Sequence, residues 1–182
     1  MHYKKLLSAV ENNMETMKKT WLEETRKSDY MKTYRSFTDD DILNRCEAVY
    51  SHLIDWLQTG ASSDEVENYF ENVGMTRLKE GFPLTEVHYA LYLTKKVLWD
   101  FVDWRDAITG SFETKTAKQI MTILNNYFDL GNFYITKGYF EALFEKIDES
   151  KKFSKDELKR LFLKGAQDWD SLTEEDIIWR HV

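Results

Sequence analysis

TDDDILNRCEAVYSHLIDWLQTG, residues 38–60, reads as one complete helix with both ends marked. Thr38 offers a hydroxyl that accepts from a first-turn amide, and Asp39, Asp40 and Asp41 put negative charge at the positive end of the helix dipole. Ile42, Cys46, Val49, Leu53 and Leu57 recur every three or four residues and make one apolar stripe. Gly60 closes the segment, since glycine enters the left-handed cap conformation without steric penalty. A stripe of this kind needs other apolar faces to pack against, so the flanking sequence must supply them.

Upstream, residues 3–27 place Tyr3, Leu6, Val10, Met14, Met17 and Trp21 on one stripe, predicting helix one. Residues 28–37 hold three aromatics and read as a packed connector. Downstream, Ser62 with Glu65 spells a capping box that opens helix three, where Val66, Tyr69, Phe70 and Val73 face inward. Gly74 and Gly81 are expected to bracket a weaker stretch. Pro83 suits the start of helix four, which carries Val87, Leu91, Leu98 and Val102 on one stripe and His88, Tyr92 and Trp99 beside it. Apolar on two sides, this is the central helix.

Helix five, residues 114–149, would span roughly 50 Å at 1.5 Å per residue. Its apolar positions include Ile120, Leu124, Tyr127, Tyr134, Ile135, Ala142 and Ile147. Gly131 and Gly138, seven apart, share a face, which implies either a close helix crossing or a kink. Two more capping boxes, Ser154 with Glu157 and Ser171 with Glu174, open two short terminal helices. No strand pattern occurs. The expected fold is an all-α helical bundle with one long penultimate helix and two short C-terminal helices. Residues 1–150 form the main domain, and 151–182 a short helical extension packed on it.

Composition narrows the function classes. The formal net charge of −7 repels phosphate backbones and anionic headgroups, so neither nucleic acid nor membrane is expected as a partner. No apolar run reaches the ~20 residues of a spanning helix. The apolar patch in MHYKKLLSAVENN is too short for a signal peptide, so the cytoplasm is the expected location. One cysteine, Cys46, leaves no intrachain disulfide and fits a reducing compartment. With 6 Trp, 10 Tyr and 11 Phe the chain has ample bulk for a core.

Catalytic signatures are missing: no phosphate-cradling glycine loop, no nucleophile elbow, no paired-histidine zinc helix. FEKIDESKKFSKDELKRLF, residues 144–162, imitates an EF-hand from Asp148. Counting from that residue, however, Lys152, Phe153 and Lys159 occupy positions five, six and twelve, where calcium needs a ligand, a glycine turn and a bidentate acid. His52 and His88 lie beside apolar stripes on helices two and four without the Glu-x-x-His pairs of a bundle metal site. Cys46, on the inward stripe, reads as a small hydrophobe. No enzyme activity, metal or cofactor is expected.

The segment MTRLKEGFPLTEVHYALYLTKKVLWDFV, residues 75–102, carries Gly81, Phe82, Leu84 and Glu86 ahead of a helix holding Leu91, Leu93, Lys95, Lys96 and Leu98. Together with WLEE of helix one, the helix over 39–60 and FYITKGYFEAL downstream, it resembles the N-terminal domain of the RsbRD type of RsbT co-antagonist proteins, over residues 4–147. The resemblance implies a helical sensory input domain of stressosome components and sensor kinases, usually dimeric, in a set whose related members are globin-like without haem. Members pass their signal to an attached STAS or kinase output domain. Here only about 35 residues follow, which points to recruitment of a separate signalling protein.

The expected function is therefore a standalone regulatory or sensory domain that forms a homodimer and binds a signalling partner. The candidate dimer surface is Tyr127, Tyr134, Gly138 and Tyr139 on helix five. The alternative is a small-molecule or haem sensor with a pocket among Trp56, His88, Tyr92 and Trp99.

Overall fold

A computed structural model describes residues 4–101, 113–149 and 154. Among them are five α-helices, one 3₁₀ turn and no strand: α1 Lys4–Lys27, the turn Tyr34–Ser36, α2 Asp39–Thr59, α3 Ser63–Lys79, α4 Leu84–Phe101 and α5 Glu113–Glu149. The all-helical bundle follows the period and the caps of the sequence. The chain divides into two compact units, Met1–Phe140 and Glu141–Val182, so the division falls inside α5. The two terminal helices and most of the calcium-loop imitation lie outside the described residues, as do Tyr3 and Val102.

The cap of α2 forms as its sequence spells it. The Asp41 amide donates to Thr38 Oγ1 at 3.2 Å, and the hydroxyl donates to Asp41 Oδ2 at 2.7 Å. At the other end Gly60 takes φ +104°, and the Ala61 amide donates to Trp56 O at 2.9 Å. Helix α1 packs across α2 and α4. Val10, Met17 and Trp21 of α1 meet Ile42, Cys46 and Leu53 of α2, Phe70 of α3, Leu91 and Leu98 of α4, and Leu124 and Phe128 of α5 in one core. Full burial of each such side chain stabilises the fold by about 1.5–3 kcal/mol.

Helix α5 runs unbroken through Gly131 and Gly138, and both glycines serve close packing rather than a kink. A Cβ at Gly138 would stand 2.1 Å from Glu71 O of α3, and one at Gly74 would stand 2.2 Å from Ile135 O of α5. The two helices thus cross backbone against backbone, each with a glycine at the contact. Gly74 is for that reason not a boundary: α3 continues through it to Lys79. The Ser62 box also differs. Ser62 is the N-cap residue, but its side chain makes no capping bond, and the Glu65 carboxylate instead accepts from Thr59 Oγ1 at 2.9 Å.

Candidate functional site

The connector between α1 and α2 is fixed from a distance. Glu86, in the first turn of α4, is 9% exposed. Its Oε2 accepts from the Thr33 amide at 2.9 Å and its Oε1 from Thr33 Oγ1 at 3.0 Å. These bonds cap the 3₁₀ turn and aim Tyr34 inward. Arg26 secures the other side, donating to Arg35 O at 2.6 Å and Phe37 O at 2.8 Å. The Tyr34 ring then lies 4.5 Å from Phe82 and 6.0 Å, edge-on, from Trp21, while Phe37 stacks on Phe82 at 4.9 Å.

Two arginines from different helices close on these rings. Arg45 of α2 forms a fork with Glu80, through Nη1 to Oε2 at 2.8 Å and Nη2 to Oε1 at 3.0 Å. Arg77 of α3 donates to the same Oε2 at 2.9 Å. The Arg45 guanidinium lies 5.0 Å from the Phe37 centroid and 5.1 Å from that of Phe82, in the range of cation–π attraction. Burial works to raise the Glu80 pKa, but hydrogen bonds and charge from both arginines hold it below the usual carboxylate value. Beside this cluster is a cavity of about 30 Å³, lined by Trp21, Tyr34, Arg45 and Arg77 and by apolar residues that include Val87 and Ile135. Small-molecule pockets are commonly about 300–1,000 Å³.

None of the four residues expected around a pocket lines this cavity. The Trp56 indole donates to Ser62 O at 2.7 Å and packs against Tyr127. His88 Nε2 pairs with Thr136 Oγ1 at 2.9 Å. Tyr127 and Thr136 are nine positions apart on α5, or about 13 Å along its axis, so Trp56 and His88 stand at different levels of the bundle. Tyr92 is 52% exposed, and Trp99 is half-buried about three turns beyond His88.

The proposed dimer residues of α5 are also engaged within the chain. Tyr127 is fully buried, with its hydroxyl 2.9 Å from His52 Nδ1 and donating to Val49 O at 3.2 Å. Gly138 lies against α3, and the Tyr139 hydroxyl donates to Phe82 O at 2.8 Å. Tyr134 is half-buried. The exposed large apolar residues of α5 are instead Met121, Leu130 and Phe133.

Leu130 and Phe133 belong to a distinct surface. The His88–Thr136 pair and the Lys95–Asp129 ion pair at 2.9 Å show that α4 and α5 run antiparallel, because numbers rise on one helix as they fall on the other. Tyr92 and Phe133 (61% exposed) both fall between these two ties and face solvent at the same level. The Tyr92 ring continues to Tyr89 at 5.6 Å and Tyr89 to Tyr30 at 5.2 Å, with Tyr30 71% exposed. The rings of Tyr30, Tyr89 and Tyr92 thus form an aromatic strip from the α1–α2 connector to the exposed side of α4, with Phe133 of α5 exposed at the level of Tyr92, and periodicity alone did not reveal it.

His52, His88 and Cys46 are packed groups. His52 stacks on Tyr69 at 3.7 Å, and burial lowers its pKa, as it does for His88. Burial pushes the Cys46 thiol well up, so no thiolate is available. Among the described residues no cluster of three His, Cys, Asp or Glu side chains could hold a metal ion. No helix among them is long and apolar enough to cross a membrane.

The described residues form an all-helical bundle with Tyr30, Tyr92, Leu130 and Phe133 exposed on its surface. The family model of the RsbT co-antagonist protein rsbRD N-terminal domain matches residues 18–148, and the chain belongs to that family of signalling input domains. No curated protein and no solved structure matches it.

Proposed function

We propose that this domain pairs with a second copy of itself through the α4–α5 seam and passes its signal to a partner signalling protein. The aromatic strip carries the reading. Tyr92, Leu130 and Phe133 are large exposed side chains beside the α4–α5 ties, and Tyr30 joins Tyr92 through Tyr89; exposed apolar surface of this kind marks interfaces. The rim favours a second copy as the occupant. Lys95 and Asp129 sit side by side there, so a two-fold axis through the seam sets the lysine of each copy against the aspartate of the other.

Sedimentation at micromolar concentration tests the pairing. The wild-type protein is expected to be a dimer. Tyr92→Glu with Phe133→Glu should yield a monomer with an unchanged far-ultraviolet spectrum, since both side chains stand in solvent. A wild-type monomer, or a dimer that survives the double substitution, refutes the seam as the interface. Cytoplasmic location and the partner protein belong to the same proposal, and affinity capture with the wild type and the double variant in parallel would identify contacts that depend on the seam.

A further inference from the structure

We infer that the cavity bounded by Trp21, Arg45 and Arg77 is a binding site for one small monovalent anion of halide size. Trp21 Nε1, Arg45 Nε and Arg77 Nε are each buried and have no hydrogen-bond partner among the described residues. All three residues line the same cavity. Leaving one buried donor unmet costs about 1–3 kcal/mol, and more when it is charged, so three such donors on residues that line one cavity favour a shared acceptor. Trp21 is 1% exposed, so its N–H is not in contact with bulk water.

Hydrogen-bond bookkeeping favours an anion over water. The buried side-chain nitrogens without a partner around the cavity are all donors, and the Tyr34 hydroxyl that also lines it can donate to an anion or accept one proton from a water. Thr94 Oγ1 donates to Ala90 O at 2.8 Å, and the Thr94 carbonyl accepts from Tyr50 at 2.9 Å. A water molecule would accept from two of the nitrogens and then need acceptors for its own two protons, whereas an anion only accepts. Charge points the same way. Arg45 and Arg77 carry two positive charges and their shared partner Glu80 one negative, which leaves one positive charge to balance.

Size limits the class. At about 30 Å³ the cavity exceeds the ~10–15 Å³ that one water needs and is far too small for a drug-sized ligand. Trp21 comes from α1, Arg45 from α2, Arg77 from α3, Val87 from α4 and Ile135 from α5. A bound ion would therefore tie together all five helices and couple their packing to the anion concentration.

Thermal unfolding of the full chain in sodium bromide against sodium gluconate, at equal ionic strength, tests the site. Gluconate is too large to enter. A ligand that binds only the folded state raises Tm, here by about 3–5 °C for each tenfold rise in bromide above its Kd. Trp21→Phe keeps an aromatic ring and removes the donor, and should shift the bromide midpoint upward about tenfold. Equal Tm in the two salts, or a bromide effect that Trp21→Phe leaves untouched, overturns the inference. A crystal of the wild-type protein soaked in bromide gives a second readout independent of the variant's folding. An anomalous peak among the three nitrogens supports the site, and bromide found only on the surface overturns it.

Discussion

Helix α5 meets its neighbours in two unlike ways. Against α3 it closes backbone to backbone at Gly74 and Gly138, with no room for a single added carbon. Against α4 it is tied by exposed or half-buried polar pairs, His88–Thr136 and Lys95–Asp129, and between them Tyr92 and Phe133 face solvent. The first contact is specified by the absence of side chains and tolerates no substitution. The second is specified by side chains that a partner surface could also meet. One helix thus serves stability on one face and recognition on the other.

Gly138→Ala should break the closed side most severely. Alanine favours a helix over glycine by about 1 kcal/mol, so an exposed position would gain stability. Here the new methyl carbon would lie 2.1 Å from a backbone oxygen that cannot rotate away. Urea unfolding should show a net loss of about 3 kcal/mol or more. Gly131→Ala is the control, because its Cβ would meet the Phe70 ring at 2.8 Å and a side chain can shift. A Gly138→Ala protein as stable as wild type would refute the close crossing.

Glu86→Gln should have the next largest effect. The amide keeps an acceptor oxygen but loses the charge that strengthens the bonds from Thr33, and it brings a donor to a site that offers donors. A loss of about 2 kcal/mol is expected from urea midpoints. Amide exchange should quicken at Thr33 and Tyr34, which donate to this carboxylate, and stay unchanged at the α3–α5 crossing. At the open side, Tyr92→Glu with Phe133→Glu should leave the stability of the monomer within about 0.5 kcal/mol, as exposed positions usually do. A large loss there would mean that the strip supports the fold.

Much of this was legible in the sequence because it is local. Thr38 and its aspartates, Gly60, Pro83 and the 3.6 period are short-range signals, and α1, α2 and α5 begin and end within a few residues of their expected bounds, whereas α3 runs on through Gly74 to Lys79. Gly138 was legible as a close-packing glycine because its spacing from Gly131 set both on one face. Gly74 was not, since an interior glycine and a terminal one look alike without the opposing helix. Glu86 read only as an acid ahead of the helix, while its carboxylate serves Thr33, 53 positions earlier. Arg45 and Arg77 lie on different helices, and no spacing rule announces that both reach Glu80. The pocket among Trp56, His88, Tyr92 and Trp99 rested on the shared face of α4. A shared face does not say which part of a neighbouring helix lies opposite, and the level of Trp56 is set by Tyr127.

The two histidines allow the smallest effect to be compared on both sides of α5. His52 stacks on Tyr69 of α3 and meets Tyr127 of α5, on the α3 side of that helix, and His88 spans the open seam. Thr136 Oγ1 can donate to Asn132 O at 2.8 Å, which leaves its oxygen able to accept from His88 Nε2. Likewise Tyr127 can donate to Val49 O at 3.2 Å while its oxygen accepts from His52 Nδ1 at 2.9 Å. Each ring can donate while neutral, and burial, the leading cause, lowers both pKa values below the ordinary 6.5. The unfolded chain therefore takes up these protons at higher pH than the folded one. Stability contributed by the two groups is fully present above about pH 6.5 and is lost as pH falls through the lower folded values. Thermal melts from pH 7.5 to 5 should show this decline. His88→Gln retains a donor towards Thr136 but cannot titrate in this range, and so should flatten the decline in part, with His52 supplying the remainder. If His88→Gln leaves the slope unchanged while His52→Gln removes it, the seam histidine is open enough to protonate without penalty, and the contrast between the two sides of α5 is sharper than burial alone implies.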